Sequence, residues 1–438
     1  MLNKVKAYIE QHQLLQVGKR YLVALSGGAD SVCLLLLLRE LGYQTDAVHC
    51  NFHLRGEESN HDEDFVKSLC EDQHVELHVI HFDTETYASV HHVSIEMAAR
   101  ELRYRYFEQL RKDIGAEGIC VAHHQNDSVE TILMNLIRGT GIHGLTGIKP
   151  RNGHILRPLL CVSRHEIETW LNGRHQSYVT DSTNLEAHVT RNKLRLNVIP
   201  QLLDITPSAG RNILQTAAYL SEAASVYDHA IKAALQRLCQ DHCIAVDQLM
   251  NEPSPKSILH EWLSPIGFSS TVVEEIYRSL GNPHSGKLWT SPSHQLTICQ
   301  GLLMAEPLTE ALPTLRIPED GTYVYNENMK LRIEMKPGRH IDTDKQTACL
   351  DASTVHFPLT LRPVTRGDRF QPFGMTGTKL VSDYLTDRKV SLFDKRRTLV
   401  LCDRDNQILW LVGHRPDGRF CVNAHTQTTA LITLFMFF

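Results

Sequence analysis

The first 145 residues switch between two hydrophobic periods. Tyr21 to Leu25 is an apolar run of strand length, Ser26, Gly27, Gly28 and Ala29 interrupt it, and Asp30 opens an apolar run of helical length. This pattern predicts strand, tight loop, helix, and variants of it recur. Lys4 to Gln16 reads as an amphipathic helix marked by Val5, Ile9 and Leu14, and Thr45 to Phe52 as a strand. Ser59 with Asp62 forms a capping box that predicts the next helix start. Val75 to Phe82 predicts a strand, Ser94 to Lys112 a long helix, and Gly118 to Ala122 a strand that runs into the polar stretch His123 to Thr131. Strands alternating with helices of this length predict an α/β fold, a doubly wound parallel sheet with helices on both faces. Ligands of such a sheet sit beyond the C-terminal ends of the strands.

The pattern changes after Lys149. Short strands lead to a capped helix from Ser163 to Leu171, a polar stretch Asp181 to Asn184, and a probable helix holding Arg191 and Arg195. Residues 208–240 read as one long helix, 241–312 as further helices with turns such as Gly281 to Gly286, and short alternating strands prevail from 313.

The two polar strand ends bring in candidate chemistry. Small residues at 26–29 let backbone approach a ligand, and the N–H groups of the following helix point outward with the positive end of its dipole, so this corner attracts phosphate. It lacks the eight-residue spacing and Lys of the common phosphate loop and has Asp30 and Ser31 instead. A carboxylate repels bare phosphate, so Asp30 is expected to act through Mg²⁺, with Ser26 and Ser31 donating hydrogen bonds. Ser, Gly and Asp are also ordinary helix-entry residues. If the strands before the two corners are neighbours, Asp30 and Asp127 share one metal-phosphate site. His49, Asn51 and His53 alternate at the end of their strand, and Glu96, Arg100, Arg103 and Tyr104 recur at helical spacing. His123, Asp127 and Glu130 lie on one helical face, a spacing that suits a metal as well as a capped helix start. Gly139 and the glycines after it suit either a C-cap or an active-site loop. Arg191 and Arg195, at i and i+4, are placed to grip phosphates together.

At 438 residues the chain has room for two or three domains, and its 42% hydrophobic and 22% charged content is that of a globular protein. No apolar run spans a bilayer, and charges break up Met1 to Gln16, so no membrane partner and a cytoplasmic location are expected. The eleven cysteines are scattered without a CxxC, and Cys239 and Cys243 read as two thiols on a helix face. Net charge is −5, but Lys and Arg number 13 against 21 acidic residues in 1–145, 9 against 5 in 149–215, 11 against 17 in 216–354 and 12 against 7 in 355–438. A polyanion is expected to touch the two basic segments. Between 359 and 421 there is no Glu, and Phe370, Phe373, Tyr384 and Phe393 are interleaved with cations, as suits base stacking or a small core under a basic surface.

SGGADS at 26–31 resembles the signature of ATP pyrophosphatases that cleave between the α- and β-phosphates. HCNFHLRGEES at 49–59, EMAARELRYRYF at 96–107, HHQNDSVET at 123–131, RGTGIHGLTG at 138–147, TRNKLR at 190–195, GDRFQPFG at 367–374, DYLTDRKV at 383–390 and VGHRPDGRF at 412–420 together resemble the tRNA(Ile)-lysidine synthetase family. One departure is Asn-Phe-His at 51–53, where many members have Asn-His-Gly, which leaves the role of His53 open.

The resemblance implies that ATP adenylates the C2 oxygen of the wobble cytidine in a tRNA(Ile) with a CAU anticodon, and that the ε-amine of free L-lysine then displaces AMP. It implies ATP binding by Ser26, Gly27, Gly28, Ala29, Asp30, Ser31, His49, Asn51 and His123. Asp30 and Asp127 become the Mg²⁺ or acid–base carboxylates and Arg191 the catalytic cation. tRNA contacts are expected from Arg195, Arg366, Arg369, Lys379, Arg388 and Lys389. The domains implied are 1–215 for catalysis, a helical middle at 216–312, linking strands at 313–354 and a small basic α+β tRNA-binding domain at 355–438. A homodimer is left open. The rivals are a tRNA thiolase of the same fold, which needs reactive cysteines, and a nucleotide-binding module without turnover.

Overall fold

A computed structural model describes residues 1–54, 56–180, 190–281, 287–309 and 312–437. The polar stretch at 181–184 and most of the turn at 281–286 lie outside the described residues. The chain divides into two compact units, Met1–Asp228 and His229–Phe438.

The first unit is the expected parallel sheet. Its elements are α1 (Leu2–Gln11), β1 (Arg20–Ala24), α2 (Ala29–Glu40), β2 (Gln44–Asn51), α3 (Glu57–Asp72), β3 (Leu77–His81), α4 (Thr84–His91), α5 (Ile95–Asp113), β4 (Gly118–Cys120), α6 (Gln125–Arg138), β5 (Arg151–Asn152), β6 (Ile155–Leu156), α7 (Arg164–Asn172) and α8 (Thr190–Lys193). Strand order is β3-β2-β1-β4-β6-β5, parallel except for the edge strand β5. β1 is central, with Tyr21 level with Thr45 of β2 on one side and Gly118 of β4 on the other. Because strand side chains alternate, Tyr21, Val23 and Leu25 enter a core with Val32 to Leu38 of α2 and Ile167 and Leu171 of α7. Leu22 enters the opposite core with Phe107 and Leu110 of α5. α2 is apolar nearly all round because it is buried nearly all round.

Two local expectations are corrected. α1 ends at Gln11, before Gln13 at φ +49°, rather than running to Gln16. α3 begins at Glu57 after Gly56 at φ +56°, so Ser59 and Asp62 are buried residues inside the helix and not its capping box. The capping box from Ser163 to Glu166 is formed, as is the Ser94 cap of α5, and Gly139 closes α6 as a left-handed C-cap.

In the second unit, helices Val246–Met250, Pro255–Leu263 and Ser270–Leu280 accompany a five-stranded antiparallel sheet drawn from 239–307. Cys239 and Cys243 sit on a hairpin turned by Asp241 and His242, both at positive φ, not on a helix. The strands of 313–354 do more than link. Ile317, Leu331, Ile333, Ala348 and Leu350 share one core with Leu359, Leu361, Leu401, Trp410 and Ile432, and Met329–Pro337 pairs along its whole length with Thr428–Met436. Phe370, Tyr384 and Phe393 are core residues, which removes them from any stacking surface, whereas Phe373 is exposed. Among the described residues no helix is long and apolar enough to cross a membrane.

Candidate active site

The pairing of β1 with β4 brings the two polar corners side by side at the C-terminal edge of the sheet. Between them and α5 lies a cleft of about 840 Å³.

The loop after β1 is tightly held. Gly27 takes φ +89°, a backbone conformation in which a side chain would be strained, and packs against Val66 and Val179. Its carbonyl accepts from the Val179 N–H at 2.9 Å. The Ser26 and Ser31 hydroxyls are 3.1 Å apart, and Ser31 donates to the Gly28 carbonyl at 2.9 Å. Both serines are therefore first engaged with the loop itself.

Asp30, at the start of α2, accepts from Arg164 Nη1 at 2.6 Å, and His124 Nε2 is 3.6 Å from the same oxygen. Burial pushes the Asp30 pKa up, but His124 and Arg164 together outweigh it and hold the carboxyl below its ordinary value. Its other oxygen, Oδ1, is buried without a hydrogen-bond partner. Asp127 accepts the His124 N–H at 2.9 Å as the cap of α6, and its Oδ2 is also 3.6 Å from His124 Nε2. The two carboxylates thus flank one imidazole.

Asp127 and Glu130, one turn apart on α6, face Arg191 and Arg195. Arg191 donates to Asp127 at 2.7 Å and to Glu130 at 2.6 Å, and Arg195 to Glu130 at 2.6 Å. Glu130 is only 1% exposed, so it needs both cations. The paired projection of the two arginines is as expected, but their first ligand is a carboxylate pair of this chain; Arg195 in particular is bound to Glu130. His123 accepts from Arg157 Nε at 3.1 Å through Nδ1, which places its proton on Nε2. Burial, opposed by Asp127 and assisted by Arg157, lowers its pKa to about 4, so it is neutral at pH 7. His123 thus turns to Arg157 while Asp127 and Glu130 share Arg191, and among the described residues the three at i, i+4 and i+7 form no common metal position.

On β2, His49 Nδ1 meets the Leu25 carbonyl at 2.9 Å, and burial lowers its pKa. Asn51 donates to buried Glu63 at 2.8 Å and accepts the His53 N–H at 3.0 Å. His53 stacks on His81, with Nε2 3.0 Å from Nδ1. Arg100 and Arg103 reach the cleft from α5, lying over Tyr104 at 5.0 Å and Phe52 at 5.1 Å.

Sequence reasoning gave no role to Arg157 or Arg164, and cast Glu130 as a candidate metal ligand rather than as the partner of the two arginines. The signal for Glu130 was its three-residue spacing from Asp127, complementary to the four-residue spacing of the arginines. Arg157 and Arg164 carried none, since their partners are distant in sequence. In the second unit, Arg366 and Arg369 are exposed, Lys379 pairs with Asp387, Arg388 lies 4.5 Å over Tyr384, and the Lys389 carbonyl accepts from Gln300.

A glycine corner without a Lys stands beside a second carboxylate corner on a parallel sheet, and residues 1–202, which hold both, match the family model described as PP-loop domain. Residues 239–308 match the TilS substrate binding domain and 359–432 the TilS substrate C-terminal domain. The chain is 47% identical to the tRNA(Ile)-lysidine synthase of Bacteroides thetaiotaomicron, over 97% of each chain. Against the enzyme of the same name from Parabacteroides distasonis identity is 44% over 99% of each. Against that of Porphyromonas gingivalis it is 38%, over 98% of this chain and 97% of the relative. The chain belongs to the tRNA(Ile)-lysidine synthase family.

Proposed function

We propose that the protein ligates free L-lysine to C2 of the wobble cytidine of a tRNA(Ile) with a CAU anticodon, using ATP and releasing AMP and pyrophosphate. The observation that carries this reading is the joining of the Ser26–Ser31 loop and the Asp127 corner at one cleft, on a chain whose near full-length relatives bear that enzyme's name. In the first step the cytidine O2 attacks the α-phosphorus and pyrophosphate leaves. The loop amides at the start of α2 face the phosphates, and Arg191 with Arg100 and Arg103 offsets the charge that develops. In the second, the lysine ε-nitrogen attacks C2, AMP departs with the original oxygen, and the amine's proton passes to a carboxylate, a part given to Asp127 because it lines the cleft beside Arg191. His49, Asn51 and His123 complete the nucleotide side of the cleft.

Mg²⁺ fits the donor set. Asp30 Oδ1 is buried and unpartnered, Asp127 stands across His124 from the same carboxyl, and hard oxygen donors suit this ion. Asp30 and Asp127 would hold it, and it would supply charge neutralisation at the phosphates.

Anchoring of tRNA falls to the basic segment 355–438 of the second unit through Arg366, Arg369, Lys379, Arg388 and Lys389, with 1–215 performing the chemistry. Sulfur delivery is disfavoured because Cys50, which lines the cleft, has its thiol pushed up to about 12 by burial and is not a thiolate at pH 7. The test is digestion of a CAU-anticodon tRNA(Ile) after incubation with ATP and lysine, followed by mass analysis of its nucleosides. A wobble cytidine heavier by one lysine less one water is expected. An unchanged or sulfur-containing cytidine would refute the reading.

A further inference from the structure

We propose that Asp46, Glu76 and His78 form a binding site for one divalent transition-metal ion of the zinc class, at the edge of the sheet opposite the cleft. The site follows from strand register. β2 and β3 pair with Ala47 level with Leu77 and Val48 level with His78, and the Ala47 N–H donates to the Glu76 carbonyl at 2.8 Å. Asp46, one residue before that first pair, therefore lies beside Glu76 and His78. His49 and Asn51 stand at the other end of the same strand and face the cleft, so this cluster is separate from the site already described.

One ligand atom from each of the three side chains lies within 4.8 Å of the others, and Asp46 Oδ2 is 3.6 Å from His78 Nε2. Ligands on a tetrahedral ion bound at about 2.0–2.2 Å stand roughly 3–3.6 Å apart. Buried Asp46 and half-buried His78 already meet that spacing, and Glu76 is exposed.

A second observation points to a ligand independently of this clustering. Asp46 is 6% exposed, yet its Oδ2 has no hydrogen-bond partner, and neither has the buried Nε2 of His78. Two buried polar atoms facing each other unsatisfied are costly, and native structures pair such atoms with protein, water or an ion. Arg20 Nη1 is 3.7 Å from Asp46 Oδ2, close enough to balance charge but too long for a hydrogen bond, and its side chain is 46% exposed. A cation between Asp46 and His78 satisfies both atoms at once. The imidazole selects the kind: Mg²⁺ and Ca²⁺ prefer all-oxygen sites, whereas two carboxylates and an imidazole suit Zn²⁺ and its first-row neighbours. Bound there, the ion ties the start of β2 to the start of β3, the strands whose far ends carry His49, Asn51 and His81. Its role is to brace the sheet, not to take part in the reaction.

The test is Zn²⁺ titration of the chelator-stripped full-length chain against a chromophoric competitor, with Mg²⁺ in large excess to occupy hard-oxygen sites. One Zn²⁺ per chain with micromolar or tighter affinity is expected, together with a raised melting temperature. Glu76→Gln, at an exposed position that leaves the core untouched, should weaken uptake about tenfold or more, and His78→Ala should abolish it. ATP binding should not change in either variant. Absence of Zn²⁺ uptake in Mg²⁺, or equal uptake by wild type and both variants, would overturn the proposal. So would Zn²⁺ that persists in these variants but is lost in Asp30→Asn, because the ion would then sit in the cleft.

Discussion

In the cleft, Arg164, Arg191 and Arg195 are each bound to a carboxylate of the same unit at 2.6–2.7 Å. In the basic tail, Arg366, Arg369 and Lys389 are exposed and make no ion pair among the described residues. The same residue types do different jobs in the two places. A cation locked to a buried acid is already oriented, so little reorganisation is needed when negative charge develops beside it. A solvated cation orients nothing, but it releases counterions when it meets a phosphate backbone, which yields affinity that falls with salt. Losses in the cleft should therefore appear in turnover, and losses in the tail in binding.

The largest effect should come from Asp30→Asn and Asp127→Asn. Each removes a carboxylate that flanks His124, and kcat should fall by about a thousandfold or more while the circular dichroism spectrum is unchanged. Near-normal kcat in either variant would make that residue a helix cap only. Next is Glu130→Gln, which leaves Arg191 and Arg195 without their shared acid. A kcat loss of about 10- to 100-fold is expected. Stability should fall by about 1–2 kcal/mol, tempered because both arginines are partly exposed, and a thermal melt would detect it.

The contrast also explains what the sequence could disclose. The parallel sheet and both polar corners were legible because a strand-loop-helix repeat is a local pattern, whereas the strand order that sets the two corners side by side was not. The Arg191–Glu130 and Arg164–Asp30 contacts were not, since they join residues 61 and 134 positions apart and no periodicity reports such pairs. The helix start at Glu57 was missed because Gly56, at positive φ, decides it, while Ser59 and Asp62 merely match a capping pattern. The tail's charge was legible but not its architecture, as its aromatics went to the core and its strands recruited 313–354.

That architecture fixes the form of the tail experiment. Truncation before Val355 would strip core partners from Ile317, Leu331 and Leu350 and leave the strands of 313–354 without their core, so charge reversal is the cleaner change. Arg366→Glu with Lys389→Glu should raise the KM for tRNA about tenfold at moderate salt and reduce the slope of log affinity against log salt by roughly two to four, leaving kcat and ATP binding intact. An unchanged slope would move tRNA anchoring elsewhere.

A smaller effect concerns pH. Asp30 titrates below its ordinary value and His123 at about 4, so between pH 6 and 9 the first stays ionised and the second neutral. Neither should produce an acid limb there, and kcat/KM for ATP should be nearly flat. The free lysine amine, with a pKa of about 10.4, gains neutral fraction nearly tenfold per unit, so kcat/KM for lysine should rise across that range. An acid limb near pH 6.5 that disappears in His123→Gln would contradict the neutral imidazole.

The account stands most directly on where ATP is cut. With tRNA and lysine present, ATP labelled at the α-phosphate should yield labelled AMP, and ATP labelled at the γ-phosphate should yield labelled pyrophosphate. Both signals should vanish in Asp127→Asn. Labelled ADP from the first, or labelled orthophosphate from the second with pyrophosphatase excluded, would show cleavage between the β- and γ-phosphates and contradict the assignment of this cleft.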